Sequence, residues 1–501
     1  MPTDHQGFVT KIIKHPRVSL VIVSVIVTFT ILFRGDPPHQ DQLDEHIVND
    51  ISQLNPITVA RVMQPHSVDE IVSAIQTSTG PISIGGGRNS QGGQTAIEAS
   101  LHLDMRQFNQ ILAFSAQQQS ITVQSGITWR KLQEYIDPHN LSIKIMQTYS
   151  NFTVGGSLSV NVHGRYIGHG PIITSAQSIQ LVLADGSIKS ASPEKNAELF
   201  YSAIGGYGGI GVITEVTLQL VKNEKVARQT ATLPIVEYKA HFMRNIRNNP
   251  AVVFHNADIY PPAFEHVRDA SWLVSDKPVT EEERLIPTDR SYTLFPKLVN
   301  FAAGSNFGKR VREYVIDPIQ YQSSKVARRN WEASYDYREL GENNRSEQTD
   351  VLQEYFIPVA NFDNFIPKLR AIFQAHEVNV INVSIRHALP DPGSYLAWAR
   401  QEVFAFVVFY RQGTSQAAQE AVGVWTREMI DAVLSEAGTY YLPYQPHATT
   451  EQFRRAYPTA DKYFAVKQRV DPKNRFQNKL WEKYYPRLRL VSLTHRSINT
   501  P

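Results

Sequence analysis

Five glycines fall within the nine residues Gly85–Gly93, directly after the strand-like segment Pro81–Ile84. Glycine adopts positive φ angles readily and lets the backbone approach a ligand closely. Successive N–H groups in such a turn form a concave anion site, and Asn89 and Ser90 add side-chain donors. No Walker or Rossmann glycine pattern opens a helix here. The loop alone leaves two interpretations, an anion cradle or a flexible surface turn.

The residues before the loop predict a strand, a helix and a second strand. Thr58–Gln64 reads as a strand, Val68–Gln76 as a helix and Pro81–Ile84 as a strand. Ser67 is a suitable helix cap, and Glu70 three positions later would complete a capping box. This order indicates an α/β or α+β domain.

Composition excludes several classes of protein. The chain has 501 residues, 42% hydrophobic and 19% charged, which is typical of globular proteins. A formal net charge of +3 gives no argument for a nucleic-acid partner. The absence of cysteine excludes disulfides, thiolate metal sites and a cysteine nucleophile. We also expect no catalytic metal, because no histidines and carboxylates stand at ligand spacing.

The segment Val18–Phe33 carries no charge and lies between Arg17 and Arg34. It predicts one transmembrane anchor over residues 18–34, with Arg34 reaching the interface. Three basic residues precede the run and acidic residues follow it, so we expect a cytoplasmic N-terminus, as in a bacterial inner-membrane protein. A cleaved signal peptide is the alternative, although no small-x-small site follows Phe33.

Further motifs follow in a fixed order. His102–Arg106 contains a leucine-aspartate pair, Thr153–Gly164 contains Val-Gly-Gly and His-Gly, and Asp185-Gly186 marks a hairpin turn. Ala203–Thr214 contains Gly-x-Gly-x-x-Gly, but it follows a helix-like segment and precedes a strand, the reverse of a dinucleotide fingerprint.

Together these motifs resemble the vanillyl-alcohol-oxidase-like flavoproteins with a PCMH-type FAD-binding domain. The resemblance implies that the backbone of Gly85–Ser90 holds the pyrophosphate, and that Thr153–Gly156 and Gly205–Ile213 line the remaining cofactor. The residues expected to bind FAD are Ile84, Gly85, Gly86, Gly87, Arg88, Asn89, Ser90, Gly92, Thr153, Gly155, Gly156, Ser157, Val160, His163, Gly164, Gly209, Val212 and Ile213.

Arg88 occupies a position at which many members of the family carry a histidine bonded to the flavin. A guanidinium remains protonated and cannot act as the attacking nitrogen. We therefore expect non-covalent FAD.

The resemblance implies an α+β fold in which a two-subdomain FAD-binding domain is joined to an α/β substrate cap. The expected division is a cytoplasmic N-terminus (1–17), an anchor (18–34), a linker (35–55), the FAD domain (56–222), the cap (223–440), a segment returning to the FAD domain (441–485) and a tail (486–501).

The C-terminal segments Tyr440–His447 and Phe464–Phe476 resemble those of decaprenylphosphoryl-ribose, sugar-lactone and alditol oxidases. An essential lysine of the first group is replaced here by Tyr444, which puts that particular substrate in doubt. The candidates for the catalytic base are Tyr444, His163 and His447, with His169 a weaker one.

The resulting hypothesis is an FAD-dependent oxidase or dehydrogenase that transfers hydride from a CH–OH group to flavin N5. The expected donor is a sugar, polyol, sugar lactone or lipid-linked sugar, and the acceptor is oxygen, a quinone or a carrier protein. Two alternatives are a nicotinamide-dependent reductase of a lipid double bond and a non-catalytic membrane-associated subunit that retains the fold.

Overall fold

The computed structural model describes residues 46–292, 294–340 and 347–486. The predicted anchor at residues 18–34 and the tail from residue 487 lie outside these ranges. Within the described part of the chain, no helix combines the length and apolarity needed to cross a membrane.

The FAD-domain sequence forms two separate sheets. The first is parallel, with strand order β3-β5-β4. The second is antiparallel, with order β10-β9-β11-β7-β6, and β8 pairs with the end of β11. A short pair, β1 and β2, precedes them. The strands are β1 Ile47–Val48, β2 Ile57–Thr58, β3 Arg61–Met63, β4 Ile82–Gly85, β5 Leu101–Asp104, β6 Ile111–Ser115, β7 Ser120–Gln124, β8 Leu141–Ile143, β9 Ala176–Val182, β10 Ile188–Ala191 and β11 Val212–Lys222.

The middle of the chain forms one eight-stranded sheet of order β15-β12-β14-β13-β17-β18-β16-β19. Every neighbouring pair in it is antiparallel. The α/β prediction for the cap was therefore wrong, and this part is α+β. The strands are β12 Lys225–Pro234, β13 Val252–Ile259, β14 His266–Val274, β15 Val326–Arg328, β16 Gln348–Pro358, β17 Val380–Ala388, β18 Val403–Gly413 and β19 Thr439–Tyr440.

Helices cover the sheets and form the C-terminal return. They are α1 Val68–Thr77, α2 Trp129–Ile136, α3 Val154–Ser159, α4 Ala197–Ala203, α5 Ile235–Asn245, α6 Leu294–Gly304, α7 Asn306–Val311, α8 Asp317–Tyr321, α9 Arg329–Glu332, α10 Phe362–Ala375, α11 Gln416–Ser435, α12 Thr450–Ala456, α13 Ala460–Val470 and α14 Lys479–Tyr484. A π-helical turn, Arg312–Ile316, joins α7 to α8.

Several local predictions are confirmed. Ser67 caps α1 by accepting from the Glu70 N–H, although the Glu70 carboxylate accepts from His66 N and not from the cap residue itself. The Asp185-Gly186 turn joins β9 and β10, with Gly186 at φ +82°. The later glycine run lies between α4 and β11, which confirms that it is no dinucleotide fingerprint.

Residues 46–55 are packed, although the sequence placed them in a linker. Val48 and Asp50 are both buried. The Asp50 carboxylate accepts from the Gly93 N–H at 3.0 Å and from Asn55 Nδ2 at 2.8 Å. Burial raises the Asp50 pKa to about 6, against the lowering effect of these hydrogen bonds. The segment therefore supports the far end of the glycine loop.

Candidate active site

A groove runs between the two sheets of the FAD-domain sequence, and several separate chain segments form its walls. Small residues predominate, so the backbone itself forms much of the surface. The lining residues are Ile84, Gly86, Gln94, Met105, Ser125, Thr153, Gly155, Gly156, Ser159, Ala203, Tyr207, Gly208, Ile210, Gly211 and Ile213.

The glycine loop closes one end of this groove. Arg88 has a positive φ of 55°, and its carbonyl accepts from the Ile51 N–H at 3.0 Å. No acceptor in the described part of the chain bonds the backbone N–H groups of Arg88, Asn89 or Ser90. Three successive free N–H groups form an anion site of the kind that a pyrophosphate occupies.

The glycines keep the groove open. A Cβ on Gly86 would overlap Thr153 Oγ1, and one on Gly155 would lie 2.6 Å from Ser125 Cβ. The buried Ser125 hydroxyl has no partner among the described residues. Unpaired N–H groups, an unpaired hydroxyl and a backbone-lined groove together fit FAD, which carries both phosphate and ring acceptors.

Arg88 contacts the adjacent strand. Its Nη2 lies 3.3 Å from Asp104 Oδ2, and the same oxygen accepts from Arg106 Nη2 at 2.5 Å. His102, on the same strand, donates or accepts at Ser83 Oγ (2.9 Å) and faces Gly85. Arg88 thus stabilises the loop through Asp104.

A carboxylate joins two of the predicted catalytic residues. Glu354, on β16, lies 2.7 Å from His163 Nε2 and accepts from the Tyr444 hydroxyl at 2.6 Å, one partner on each oxygen. The His163 ring packs against Trp398 and Phe356. Glu354 is buried, and these two hydrogen bonds offset the free-energy cost of burying its charge.

The electrostatics of this cluster assign its protonation states. Burial raises the pKa of Glu354, but the histidine charge and hydrogen bond, Arg386 and Tyr444 together bring it below its usual range. Burial and the neighbouring Glu354 raise the pKa of Tyr444 well above its ordinary value. These shifts favour an anionic Glu354 and a protonated Tyr444, whose hydroxyl donates to the carboxylate.

Helix α3 connects the two ends of the groove. Its N-cap Thr153 faces Gly87 N at 3.4 Å, while Val160, at its C-terminal end, accepts from the Tyr441 hydroxyl at 2.8 Å. Gln94 lines the groove and donates to the carbonyls of Leu442 and Tyr444. The Glu354 cluster is therefore tied both to helix α3 and to the Gly92–Gly93 end of the glycine loop.

Arg386, on β17, is a positive charge close to this cluster. It acts on the pKa values of Glu354, Tyr444 and Tyr149, and its Nε is buried without a partner among the described residues. Burial raises the pKa of the nearby Glu339 to about 7, against the lowering effect of Arg165. Arg386 thus acts on both Glu354 and Tyr444, while Glu339 neighbours Tyr149 and Arg165.

Several predicted site residues lie elsewhere. His447 is half-buried beside α11, with its ring 3.3 Å from an ideal Cβ on Gly423, and desolvation lowers its pKa to about 4. Val212 packs in the core with Val182, and the Ser157 hydroxyl bonds the Trp129 indole. Gly209 and Gly164 are also not among the described residues that line the groove. Along β11, side chains alternate between faces, which explains why Ile213 and not Val212 reaches the groove.

Sequence reasoning missed Glu354, Arg386, Ser125 and Asp50. Glu354 and Arg386 stand on strands of the cap sheet, in segments that read as ordinary alternating strands. The available signal was a carboxylate and a guanidinium within otherwise apolar strands, because charged residues are rarely buried without a partner. Which partners they meet depends on how the cap packs on the FAD domain.

Residues 59–192 match the profile of a family described as an FAD binding domain. L-gulonolactone oxidase of Mus musculus is 21% identical over 442 residues, or 84% of this chain and 94% of that protein. L-galactono-1,4-lactone dehydrogenase 1, mitochondrial, of Oryza sativa subsp. japonica is 27% identical over 42% of this chain and 36% of its own length. Cytokinin dehydrogenase 9 of the same plant is 28% identical over 36% of each chain.

The chain thus spans nearly all of the mouse protein but only about a third of the two plant proteins. The profile match covers the strand and helix before the glycine loop, the loop itself and α3. With the groove and its free loop N–H groups, these likenesses make the chain an FAD-dependent oxidoreductase that is similar to sugar-lactone oxidases and dehydrogenases.

Proposed function

We propose that this protein oxidises a CH–OH group of a sugar, polyol, sugar lactone or lipid-linked sugar, with a sugar lactone the first choice. The observation that carries the proposal is the buried Glu354 carboxylate, hydrogen-bonded to His163 and Tyr444 beside the FAD groove. Oxidation of an alcohol releases one proton and one hydride. We assign the proton to this hydrogen-bonded cluster.

FAD, when bound, supplies the hydride acceptor. The free N–H groups of Arg88, Asn89 and Ser90 would hold its phosphates, and Thr153, Gly155, Gly156 and Ile213 would line its rings. Arg88 stands where many members of the resembled family carry the histidine that bonds the flavin, so we expect the cofactor to be bound non-covalently. Denaturation should release all of the flavin into the supernatant, and flavin retained on the precipitated chain would contradict this.

The proton passes to the Glu354–His163 pair. Glu354 is an anion with Tyr444 on one oxygen and His163 on the other, so it orients both groups. A substrate hydroxyl beside Tyr444 would donate to this network as the carbon–hydrogen bond breaks. Arg386 would anchor a carbonyl or hydroxyl oxygen of the substrate, because its buried Nε requires an acceptor.

The substrate class comes from the likeness that extends over the cap. Mouse L-gulonolactone oxidase aligns with 84% of this chain, whereas the match to a cytokinin dehydrogenase covers 36%. A match confined to the cofactor domain carries no information about the substrate pocket. A lactone therefore leads, and linear polyols and lipid-linked sugars follow.

The test is anaerobic reduction of the FAD-loaded full chain by aldonolactones, alditols and lipid-linked sugars, followed by timed re-oxidation with oxygen and with a quinone analogue. We expect a lactone to bleach the flavin absorbance. Bleaching by NADPH alone would favour the reductase alternative. A colourless protein that cannot be reconstituted with FAD would contradict the oxidoreductase assignment.

The same proposal includes the anchor and the domain division. Residues 18–34 are proposed to cross the membrane with the N-terminus cytoplasmic, and residues 56–222, 223–440 and 441–485 are proposed as FAD domain, cap and returning segment. Protease protection of an N-terminal tag in sealed vesicles tests the orientation. Tag cleavage from the non-cytoplasmic face would reverse it.

A further inference from the structure

A helical segment of the cap, residues 306–321, has its polar and apolar faces reversed. It comprises α7, the π-helical turn and α8. Globular proteins normally bury the apolar face of such a segment and expose the polar one. Here four large apolar side chains are exposed, namely Phe307 (71%), Tyr314 (62%), Val315 (50%) and Ile319 (65%).

Three of the five charged side chains of the segment face inward. Lys309 Nζ donates to Asn379 Oδ1 at 2.9 Å, and the Glu313 carboxylate lies 3.0 Å from His266 Nδ1. Asp317 accepts from the Tyr260 hydroxyl at 2.8 Å. All three are buried. These contacts fix the segment to the cap sheet by polar interactions and leave the apolar residues in solvent.

The four exposed residues share one face, because positions 307, 314, 315 and 319 follow helical spacing. Arg310 is exposed on the same face, and within residues 306–321 both acidic side chains are turned inward. We call these five residues the apolar stripe. A stripe of aromatic and aliphatic residues with a basic side chain and no acid is typical of helices that lie in a membrane interface.

We propose that the apolar stripe rests on an anionic lipid bilayer. The occupant follows from the rest of the chain, and the inference depends on the proposed anchor. The uncharged run Val18–Phe33 has the composition of a membrane span. The 12 residues from Arg34 to Glu45 join this run to the described part of the chain, so a bilayer that holds the anchor is the surface offered to the stripe.

Binding at a surface of this kind has two parts. Phe307, Val315 and Ile319 would enter the boundary between headgroups and acyl chains, where burial of apolar area is favourable. Tyr314 would place its hydroxyl at the headgroup level, and Arg310 would pair with anionic lipid. The contact would fix the orientation of the cap relative to the membrane, which one covalent connection to the anchor does not do.

The chain contains no cysteine, so single-cysteine variants can be labelled at one site. The test uses the full chain in vesicles of equal parts phosphatidylcholine and phosphatidylglycerol, with Val315→Cys carrying an environment-sensitive fluorophore. The matched control is Val424→Cys, another helical valine, with 52% exposure against 50% at Val315. Both variants share the same anchor, so any difference between them comes from the surface itself.

We expect doxyl-labelled lipid to quench the label at position 315 strongly and aqueous iodide to quench it little, with the opposite result at position 424. Equal quenching of both labels by iodide would overturn the proposal. A label at 315 that is shielded from iodide but unaffected by doxyl lipid would also overturn it, and would assign the stripe to a second copy of the chain. Failure of the full chain to bind vesicles would remove both the anchor and this contact.

Discussion

At the residue scale, the most consequential feature is that Glu354 bonds two aromatic side chains at once. Neither His163 nor Tyr444 is placed by its own neighbours in the sequence. His163 comes from the segment after α3, Tyr444 from the segment after β19, and Glu354 from β16. The carboxylate is the common partner, which makes it the group whose removal affects both.

Glu354→Gln should lower the rate constant of flavin reduction by substrate by about 10²–10⁴-fold, because a positioned base contributes on this order. The amide keeps the shape of the carboxylate, so FAD content should be unchanged. Stopped-flow reduction under anaerobic conditions measures the effect. A rate constant within twofold of the parent protein would exclude Glu354 as the proton acceptor.

Tyr444→Phe should reduce the same rate constant by about 10–100-fold, the effect of losing one hydrogen bond to a charged group. The control is Tyr355→Phe. Tyr355 follows Glu354 on β16, so its side chain points to the other face of the sheet, and its hydroxyl donates to Gln353. If both substitutions change the rate equally, the tyrosine hydroxyl acts only through stability.

At the element scale, two motifs hold together the chain segments around the groove. The glycine loop requires its small residues because α3 lies directly against it.

Gly86→Ala should weaken FAD affinity at least about tenfold, because the added methyl would overlap Thr153 Oγ1 and displace the loop. Gly80→Ala is the control, since no atom lies within 4 Å of its added Cβ. Fluorescence titration of the apoprotein with FAD gives both constants, and equal affinities would show that the loop does not hold the cofactor.

The second motif is Lys-x-Arg-x-Asp-Pro, at the end of α13. Lys467 Nζ lies 2.9 Å from Asp471 Oδ2, and both side chains are fully buried. The ammonium also donates to the carbonyls of Gly209 and Phe476. The pair thus joins the C-terminal segment to the glycine turn before β11, which explains why the motif accompanies this fold.

Lys467→Met should lower the free energy of unfolding by about 3–5 kcal/mol, because it leaves the buried Asp471 without its counter-charge. Lys462→Met, on the exposed face of the same helix, should change it little. Urea denaturation followed by tryptophan fluorescence compares them. A small effect at Lys467 would mean that the backbone donors of Arg475 and Phe476 suffice for Asp471.

At the scale of the whole molecule, buried and half-buried histidines make the fold sensitive to acid. Burial lowers the pKa of His102 and His255 to about 3, and of His169 and His447 to about 4. Such groups are neutral in the folded chain but bind protons in the unfolded chain below pH 6.5. The unfolded state therefore gains protons as pH falls, and stability is lost below that pH. Asp50, whose pKa is raised to about 6, acts in the opposite sense.

His255→Gln should reduce the slope of the unfolding free energy between pH 4 and 6 by about 1.4 kcal/mol per pH unit, one proton's contribution. His66→Gln, an exposed histidine, is the control. The free energy of unfolding of the His255 variant will also fall at every pH, because the His255 ring is hydrogen-bonded to Tyr238 and Ser271. Only the slope is diagnostic, and an unchanged slope would show that His255 titrates normally.

The sequence by itself determined the local features: the strand and loop at Gly85–Gly93, the capped helix α1, the Asp185-Gly186 turn and the absence of a covalent attachment residue at Arg88. Each depends on residues within a few positions, since turns, caps and alternation are local properties. Only the tertiary structure brought Glu354 between His163 and Tyr444, placed His447 against α11 and turned Glu313 and Asp317 inward. Those outcomes depend on contacts between segments far apart in the chain, and no local pattern encodes them.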